Sequence, residues 1–175
     1  MNVEVHVLTK EGFAAALDDV ARLRITVFRD WPYLYDGDLE YERRYLAAYL
    51  ESPESLVVGA FDGTRMVGVS TAAPMEDHAE ELAAPLVKLG YRPDEVYYCA
   101  ESVLLAEYRG RGIGHAFFDA REAKARALGR KYMAFCSVLR PADHPMRPAT
   151  FRTNDAFWQG RGYAPLPGVF AEYGW

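Results

Sequence analysis

The spacing of apolar residues along the chain predicts alternating strands and helices. Residues 3–8 alternate between apolar and polar side chains, as a half-buried strand does. Phe13, Leu17 and Val20 recur at the spacing of one helix face, which predicts a helix over 11–29. The same criteria predict further strands over 55–61, 66–73, 96–105, 131–138 and 169–173, and further helices over 38–50, 77–89, 113–128 and 154–159.

Local signals mark several boundaries of these elements. Trp31 precedes Pro32, and the first helix is expected to end there because a residue before proline disfavours helical geometry. Asp38 is placed to accept a hydrogen bond from a first-turn amide, so we expect it to cap the next helix. Asp62-Gly63 separates two strand candidates and is typical of a hairpin turn. The stretch 140–153 carries three prolines and is predicted to be an ordered loop.

The composition narrows the class of protein. The chain has 175 residues, so we expect a single domain over 1–175. With 50% hydrophobic and 26% charged residues, it can bury a core. A formal net charge of −5 argues against a general nucleic-acid binder. The first ten residues lack the features of a signal peptide and no stretch approaches a membrane span, so we expect a cytoplasmic protein.

The two cysteines, Cys99 and Cys136, each lie in an apolar run. They have neither the spacing nor the histidine neighbours of a metal site. We therefore expect two buried structural thiols, no metal and a reducing compartment.

A glycine-rich stretch, Arg109-Gly110-Arg111-Gly112-Ile113-Gly114, joins a strong strand candidate to a long helix candidate. Glycines leave several backbone N–H groups unobstructed at a helix N-terminus, where the helix dipole favours anions, so the stretch predicts a diphosphate site. His115 and Ala116 follow in place of the residues that a P-loop or a dinucleotide fingerprint requires. On this stretch alone, an ordinary strand-to-helix turn stays open.

The stretch also resembles the Arg/Gln-x-x-Gly-x-Gly/Ala motif of the Gcn5-related N-acetyltransferase (GNAT) superfamily. The preceding 103–108, Val-Leu-Leu-Ala-Glu-Tyr, is similar to the lead-in of that motif, and 156–163 is similar to the ending of the family. The order of elements agrees over almost the whole chain. The resemblance implies an α/β (α+β) fold, with a mixed, mostly antiparallel, splayed central sheet flanked by helices. It also implies acetyl-CoA as co-substrate.

The resemblance implies roles for individual residues around the splay. Val103, Leu104 and Leu105 would contact the pantetheine and thioester, and the N–H of Leu104 would stabilise the oxyanion. The cofactor diphosphate would lie on the stretch already described, residues Arg109, Gly110, Arg111, Gly112, Ile113 and Gly114. The family often carries an acidic residue at the position of Glu101.

Glu101 is the candidate base on physical grounds as well. A lysine-like amine, with a pKa of about 10.4, must lose a proton before it can attack a thioester. Glu101 interrupts an apolar strand, and a carboxylate there needs a partner or a function. A salt bridge to a neighbouring element is the alternative. The general acid is open, since Trp158 stands where many family members have a tyrosine.

The family places its acceptor site after the first helix, which points to Phe28, Trp31, Tyr33 and Tyr35 in this chain. Their rings could hold a cation or an apolar group, or they could simply pack. The expected function is therefore transfer of an acetyl group from acetyl-CoA to a primary amine of a small molecule by direct attack. Two alternatives stay open, a longer acyl-CoA donor and a non-catalytic acyl-CoA sensor. No nucleic acid or membrane partner is expected, and a homodimer stays open.

Overall fold

A five-stranded sheet flanked by helices forms the centre of the computed structural model, which describes residues 2–174. The strands are β1 Val3–Val7, β2 Leu56–Asp62, β3 Arg65–Pro74, β4 Val96–Leu104 and β5 Tyr132–Ala134. The helices are α1 Lys10–Ala15, α2 Leu17–Phe28, α3 Leu39–Glu51, α4 Glu80–Lys88, α5 Ile113–Ala127 and α6 Asp155–Gly160. No helix in the described residues is long and apolar enough to cross a membrane.

The sheet is mixed and mostly antiparallel, as predicted. Its strands lie in the order β1-β2-β3-β4-β5, with antiparallel pairs up to β4 and a parallel pair between β4 and β5. The parallel pairing runs only from Val96↔Tyr132 to Tyr98↔Ala134, whereas β4 continues to Leu104. The two strands therefore separate beyond Tyr98 and leave a gap beside the second half of β4.

A β-bulge at Ala100 changes the direction of the side chains along β4. Thr71 pairs with Glu101 and Ala72 pairs with Cys99, so Ala100 is an extra residue on β4. Cys99 packs into the apolar cluster that contains Phe117 of α5, whereas Glu101 is directed toward α2 on the other face of the sheet. In a regular strand the two side chains would share one face.

Each face of the sheet is covered by its own helices. Val20 of α2 and Leu46 of α3 are fully buried in one apolar cluster, and Ile113 and Phe117 of α5 are buried in the other. The predicted caps are present, since the Asp38 carboxylate accepts from the Tyr41 N–H at 2.9 Å. The predicted hairpin joins β2 to β3 at Gly63, whose φ is 62°.

The helix predicted over 11–29 is two helices, because the chain bends at Ala16, which has φ −95° and ψ 6°. The bend accompanies two long-range hydrogen bonds from Lys10. The Lys10 ammonium donates to the carbonyls of Tyr49 and Ser52 at 2.7 Å each, which holds α1 against the end of α3. α2 packs against β3 and β4 as well as α3, and the chain bends at Ala16 between these contacts and those of Lys10.

Two strand predictions near the C-terminus need correction. The strand predicted over 131–138 pairs only over β5, because the chain leaves β4 after Ala134. The strand predicted over 169–173 is wrong, since those residues have no strand neighbour in the described part of the sheet. They run instead along the wall of a large cavity. Alternation of apolar residues does not distinguish a strand from an extended segment of this kind.

The two cysteines have different environments. Cys99 is buried, and burial raises the pKa of its thiol to about 11. Cys136 is exposed, which corrects the expectation of two buried thiols. It lies after the end of β5, where no neighbouring strand covers it.

Candidate active site

The glycine-rich bend between β4 and α5 depends on two glycines in left-handed conformation. Gly110 has φ 76° and Gly112 has φ 82°, values that side chains with a Cβ rarely adopt. They turn the chain into α5, and the buried side chain of Ile113 anchors the first turn. A Cβ at either glycine would meet no atom within 4 Å, so the space beside the bend is open.

The amides of this bend are available to a ligand. Within residues 2–174, no backbone carbonyl accepts from the N–H groups of Gly110, Arg111 or Gly112. The first-turn amides of α5 have no partner inside the helix, no side chain caps them, and no acidic residue lies in that turn. Exposed, unpaired amides at the N-terminus of a 15-residue helix form an anion site.

The two arginines of the bend fold back onto its own backbone. Arg109 donates from Nε to the carbonyl of Leu104 at 3.3 Å. Arg111 donates from Nη2 to the carbonyl of Glu107 at 2.9 Å and lies 5.5 Å from the centre of the Tyr108 ring. Both side chains are exposed and can reorient toward a phosphate.

The end of β4 presents backbone groups to the gap. Leu105 donates its N–H to Val67 of β3 at 3.0 Å. Because N–H groups alternate in direction along a strand, the N–H of Leu104 points away from β3, toward the side that β5 leaves unpaired. The Val103 side chain is fully buried in the core, and by the same alternation its N–H and C=O point toward β3, so the structure directs no polar group of Val103 toward the gap.

Gly68 of β3 is a further residue of this region. A Cβ at Gly68 would lie 2.7 Å from Leu104 Cδ1 and 3.0 Å from the Val103 carbonyl oxygen. The glycine therefore permits the close approach of β3 to the two residues that border the gap. The sequence shows a glycine inside a strand candidate, which is a signal for such an approach.

A cavity of about 1360 Å³ opens on the α2 side of the sheet. Phe28, Tyr33 and Tyr35 line it, together with Glu101. Trp31, the fourth predicted acceptor residue, packs instead against the rings of His144 and Phe151, at centroid distances of 5.0 and 6.0 Å. The structure thus brings three of the four residues together and directs Trp31 toward the loop after β5.

Glu101 lies at the centre of a buried ion cluster. The Arg24 guanidinium bridges the carboxylates of Glu42 and Glu101, and all three side chains are at most 9% exposed. Tyr45 donates to Glu101 Oε2 at 3.1 Å and Tyr35 donates to Glu42 Oε1 at 3.1 Å. The salt bridge that the sequence left open as an alternative is present, and Glu101 also faces the cavity.

The charges of the cluster affect its neighbours. Burial alone would lower the pKa of Arg24, but the charges of Glu101, Tyr45 and Glu42 outweigh it and hold that pKa above its usual range. Burial, and then the charge of Glu101, raise the pKa of Tyr45 and of Tyr49. These phenols stay protonated at neutral pH; the Tyr45 hydroxyl donates to Glu101, and the Tyr49 hydroxyl lies 3.4 Å from that of Tyr45.

Sequence reasoning missed Arg24 and Glu42. Arg24 has a sequence signal, because it lies four residues after Val20 and four before Phe28, on the apolar stripe of α2. A charged residue on a buried stripe needs an ionic partner. Nothing local identifies that partner, since Glu42 lies on α3 and Glu101 on β4.

His78 is another cavity residue that the sequence did not mark. Its ring lies 4.8 Å from the ring of Tyr98, and its Nε2 is buried with no hydrogen-bond partner in the described chain. Burial lowers the pKa of His78, so the imidazole is neutral at neutral pH. His144, a histidine of the loop after β5, accepts the N–H of Met146 at 3.1 Å.

Trp158 stands where many family members have a tyrosine, and it packs against a neighbouring ring. Trp158 lines the cavity, and its ring lies 5.0 Å from that of Phe135. The hydroxyl of Tyr163 donates to Glu122 at 2.8 Å, so its proton is already engaged.

The structure thus combines exposed, uncapped amides at the start of a helix, a gap between parallel strands and a cavity lined by a carboxylate. The sequence model of the Acetyltransferase (GNAT) family matches residues 21–149. The chain therefore belongs to the GNAT acetyltransferase family, whose members are acyltransferases. Comparison with the sequences of curated proteins gives no significant match.

Solved structures share the fold at low sequence identity. The aminoglycoside acetyltransferase AAC(6′)-Iy, in complex with a bisubstrate analogue of CoA, is 14% identical, with a TM-score of 0.65 over 99% of each chain. AAC(6′)-Ih from Acinetobacter baumannii is 16% identical, with a TM-score of 0.65 over 99% of this chain and 98% of that one. A ribosomal-protein-alanine N-acetyltransferase from Brucella melitensis is 14% identical, with a TM-score of 0.59 over 98% and 99%.

Proposed function

We propose that this protein transfers an acetyl group from acetyl-CoA to a primary amine of a small molecule. The observation that carries the proposal is the row of unpaired amides at the start of α5, beside the gap between β4 and β5. The amides suit the diphosphate of CoA, and Glu101, which lines the cavity, lies three residues before Leu104 on β4. The residues predicted for the donor are those of this bend and of the end of β4.

The reaction needs a neutral amine, a stabilised oxyanion and a leaving thiolate. An ammonium gives one proton to Glu101, directly or through a water, and the neutral nitrogen attacks the thioester carbonyl carbon. The carbonyl oxygen gains negative charge, which the N–H of Leu104 stabilises. The carbon–sulfur bond then breaks, the sulfur leaves as a thiolate, and the second proton of the nitrogen passes to the sulfur. A thiol pKa of about 8.5 makes a dedicated acid unnecessary.

The ion cluster is compatible with Glu101 as the base. Arg24 is shared between two carboxylates, so the cluster carries one negative charge in excess at formal charges. A proton on Glu101 would bring the cluster to neutrality and leave the Arg24–Glu42 ion pair intact. The tyrosine hydroxyl that donates to Glu101 would hold the carboxyl in place in both states.

The related structures support the proposal. One holds a CoA bisubstrate analogue, and the three acetyltransferases compared above act, by their names, on amines of aminoglycosides or of a protein alanine. Their alignment with 98–99% of this chain also supports the expectation of a single domain over 1–175.

The test is the release of free thiol from acetyl-CoA across a set of primary amines. Glu101→Gln should lower kcat at least about a hundredfold, the smaller end of what a general base contributes. Glu172→Gln is the matched control, because Glu172 is another carboxylate that lines the cavity but is exposed and, in the described residues, forms no ion pair with Arg24. Equal kcat losses in the two variants would contradict the role of Glu101. The exposed Cys136 sets a background that is measured without the donor.

Two observations favour alternative functions. Glu101 is ion-paired and Trp158 replaces the family's usual tyrosine, which favours an acyl-CoA sensor. Acetyl-CoA binding without thiol release for any amine, together with no effect of Glu101→Gln, would identify the sensor. The cavity also extends to Phe135 and Trp158, which favours a longer acyl chain. Faster turnover with butyryl-CoA than with acetyl-CoA would identify that donor.

A further inference from the structure

The acceptor cavity has a chemical character that selects among amines. We propose that the preferred acceptor is a monoamine whose amine is carried on an aromatic body, and not a polycation such as an aminoglycoside. This inference rests on the proposed function, since it concerns the acceptor of the same site. It is carried by the charge of the buried cluster and by the aromatic wall of the cavity.

The charge of the buried cluster fits one ammonium. Glu42 and Glu101 carry two negative charges and Arg24 carries one positive charge, which leaves a single negative charge beneath the cavity. In a buried setting this charge attracts a cation strongly, because water screens it poorly. A second or third ammonium on the same molecule would have no counter-charge from this cluster.

The other charged residues around the cavity attract a polycation only weakly. Asp77 accepts the Ser52 hydroxyl at 2.6 Å, and the two remaining acids, Asp155 and Glu172, are exposed, where solvent and salt weaken their pull. The cavity also contains arginines. Arg140 donates to the carbonyls of Pro32 and Tyr33 at 2.9 and 2.7 Å and keeps its positive charge at the cavity wall.

The wall itself is rich in aromatic rings. The rings of Tyr33 and Phe28 lie with their centroids 4.4 Å apart, and those of Phe135 and Trp158 lie 5.0 Å apart. Phe170 lines the cavity from the C-terminal segment and is 64% exposed, so its ring is free to cover a ligand. Several rings that line one cavity favour a flat apolar body through burial and ring contacts.

The first experiment compares acceptors of different body and charge with acetyl-CoA as donor. The set consists of 2-phenylethylamine, hexylamine, spermidine and an aminoglycoside such as kanamycin, and kcat/KM is measured by thiol release. We expect kcat/KM for 2-phenylethylamine to exceed that for the two polycations at least about tenfold and to exceed that for hexylamine by a smaller factor. A polycation as the best acceptor would overturn the inference.

Two variants connect the preference to the residues that carry it. Phe170→Ala should raise KM for 2-phenylethylamine about fivefold, by loss of one ring contact, with a smaller effect for hexylamine. Leu89→Ala is the control, because Leu89 is similarly exposed at 52% but does not line the cavity. Glu42→Gln cancels the excess negative charge and should raise KM for both monoamines. Unchanged KM in Phe170→Ala and Glu42→Gln would contradict the assignment.

Binding separates the failure of this inference from the failure of the proposed function. If no amine causes thiol release, calorimetry of 2-phenylethylamine and kanamycin with the CoA-saturated protein still tests the cavity. Tighter binding of 2-phenylethylamine would support the inference while the catalytic proposal fails. Tighter binding of kanamycin, or no binding of 2-phenylethylamine, would overturn it.

Discussion

Removal of the Arg24 guanidinium should destabilise the fold strongly. The Arg24 side chain is ion-paired with both Glu42 and Glu101. Arg24 is 7% exposed and Glu42 is fully buried. Arg24→Met keeps an apolar stem that can fill the space, but leaves two buried carboxylates without a cationic partner. Breaking a buried ion pair from one side costs about 3–5 kcal/mol, and the upper end is expected here because two carboxylates lose their partner.

The assay is urea unfolding followed by tryptophan fluorescence, together with the melting temperature. For a chain of this size each kcal/mol corresponds to roughly 2–4 °C, so Tm should fall by roughly 6–20 °C. Arg43→Met is the matched control. Arg43 also pairs with a carboxylate, Asp18 at 2.8 Å, but the two side chains are 47% and 42% exposed, so solvent screens the pair and its loss should change the stability little.

A second step tests the cause of the loss. If unpaired carboxylates cause it, Glu42→Gln and Glu101→Gln added to Arg24→Met should restore a large part of the lost stability, because neutral amides cost less to bury. Similar costs for Arg24→Met and Arg43→Met would refute the reasoning. A triple variant no more stable than Arg24→Met would assign the loss to packing against the Phe28 and Tyr45 rings instead.

Three further outcomes follow from the structure. A chromogenic aryl disulfide at pH 8 should react quickly with Cys136 in the native protein and with Cys99 only after unfolding. The reason is that Cys99 is buried and burial raises the pKa of its thiol to about 11. Two thiols that react equally fast in the native protein would contradict this. Burial lowers the pKa of His78 below its usual 6.5, so the unfolded state binds the proton first as pH falls, and the unfolding free energy decreases. His78→Phe should make that decrease shallower between about pH 7 and 5.5. An unchanged slope would contradict the assignment. Gly68→Ala should displace Leu104 from the gap. We expect kcat to fall by a larger factor than the equilibrium constant for folding, which parallel kinetic and unfolding measurements would check.

Features that depend on local sequence were predicted well. The glycine-rich bend, the Asp38 cap and the Asp62-Gly63 turn follow from the conformations that those residues adopt. The pattern of apolar residues located the first four strands because their apolar side chains pack in the two clusters that cover the faces of the sheet.

Features that depend on distant contacts were not predicted. The break between α1 and α2 requires the tie from Lys10 to the end of α3, which lies some forty residues away in sequence. The partner of Glu101 comes from α2, and its direction depends on the bulge at Ala100. The segment 169–173 has the pattern of a strand, but it pairs with no strand of the described sheet and runs along the cavity wall.

The central claim is that the bend at the start of α5 binds the diphosphate of CoA, and calorimetry of CoA with two glycine variants tests it most directly. Gly112→Val and Gly129→Val both place a β-branched residue at a left-handed φ, 82° and 69°, with no protein atom within 4 Å of the new Cβ. The backbone cost is therefore similar, about 1–2 kcal/mol each, and should appear in both unfolding curves. Only Gly112 borders the proposed site, because Gly129 follows the far end of α5. We predict that Gly112→Val weakens CoA binding at least about tenfold while Gly129→Val binds as the unaltered protein does. Equal affinity in all three proteins would contradict the claim.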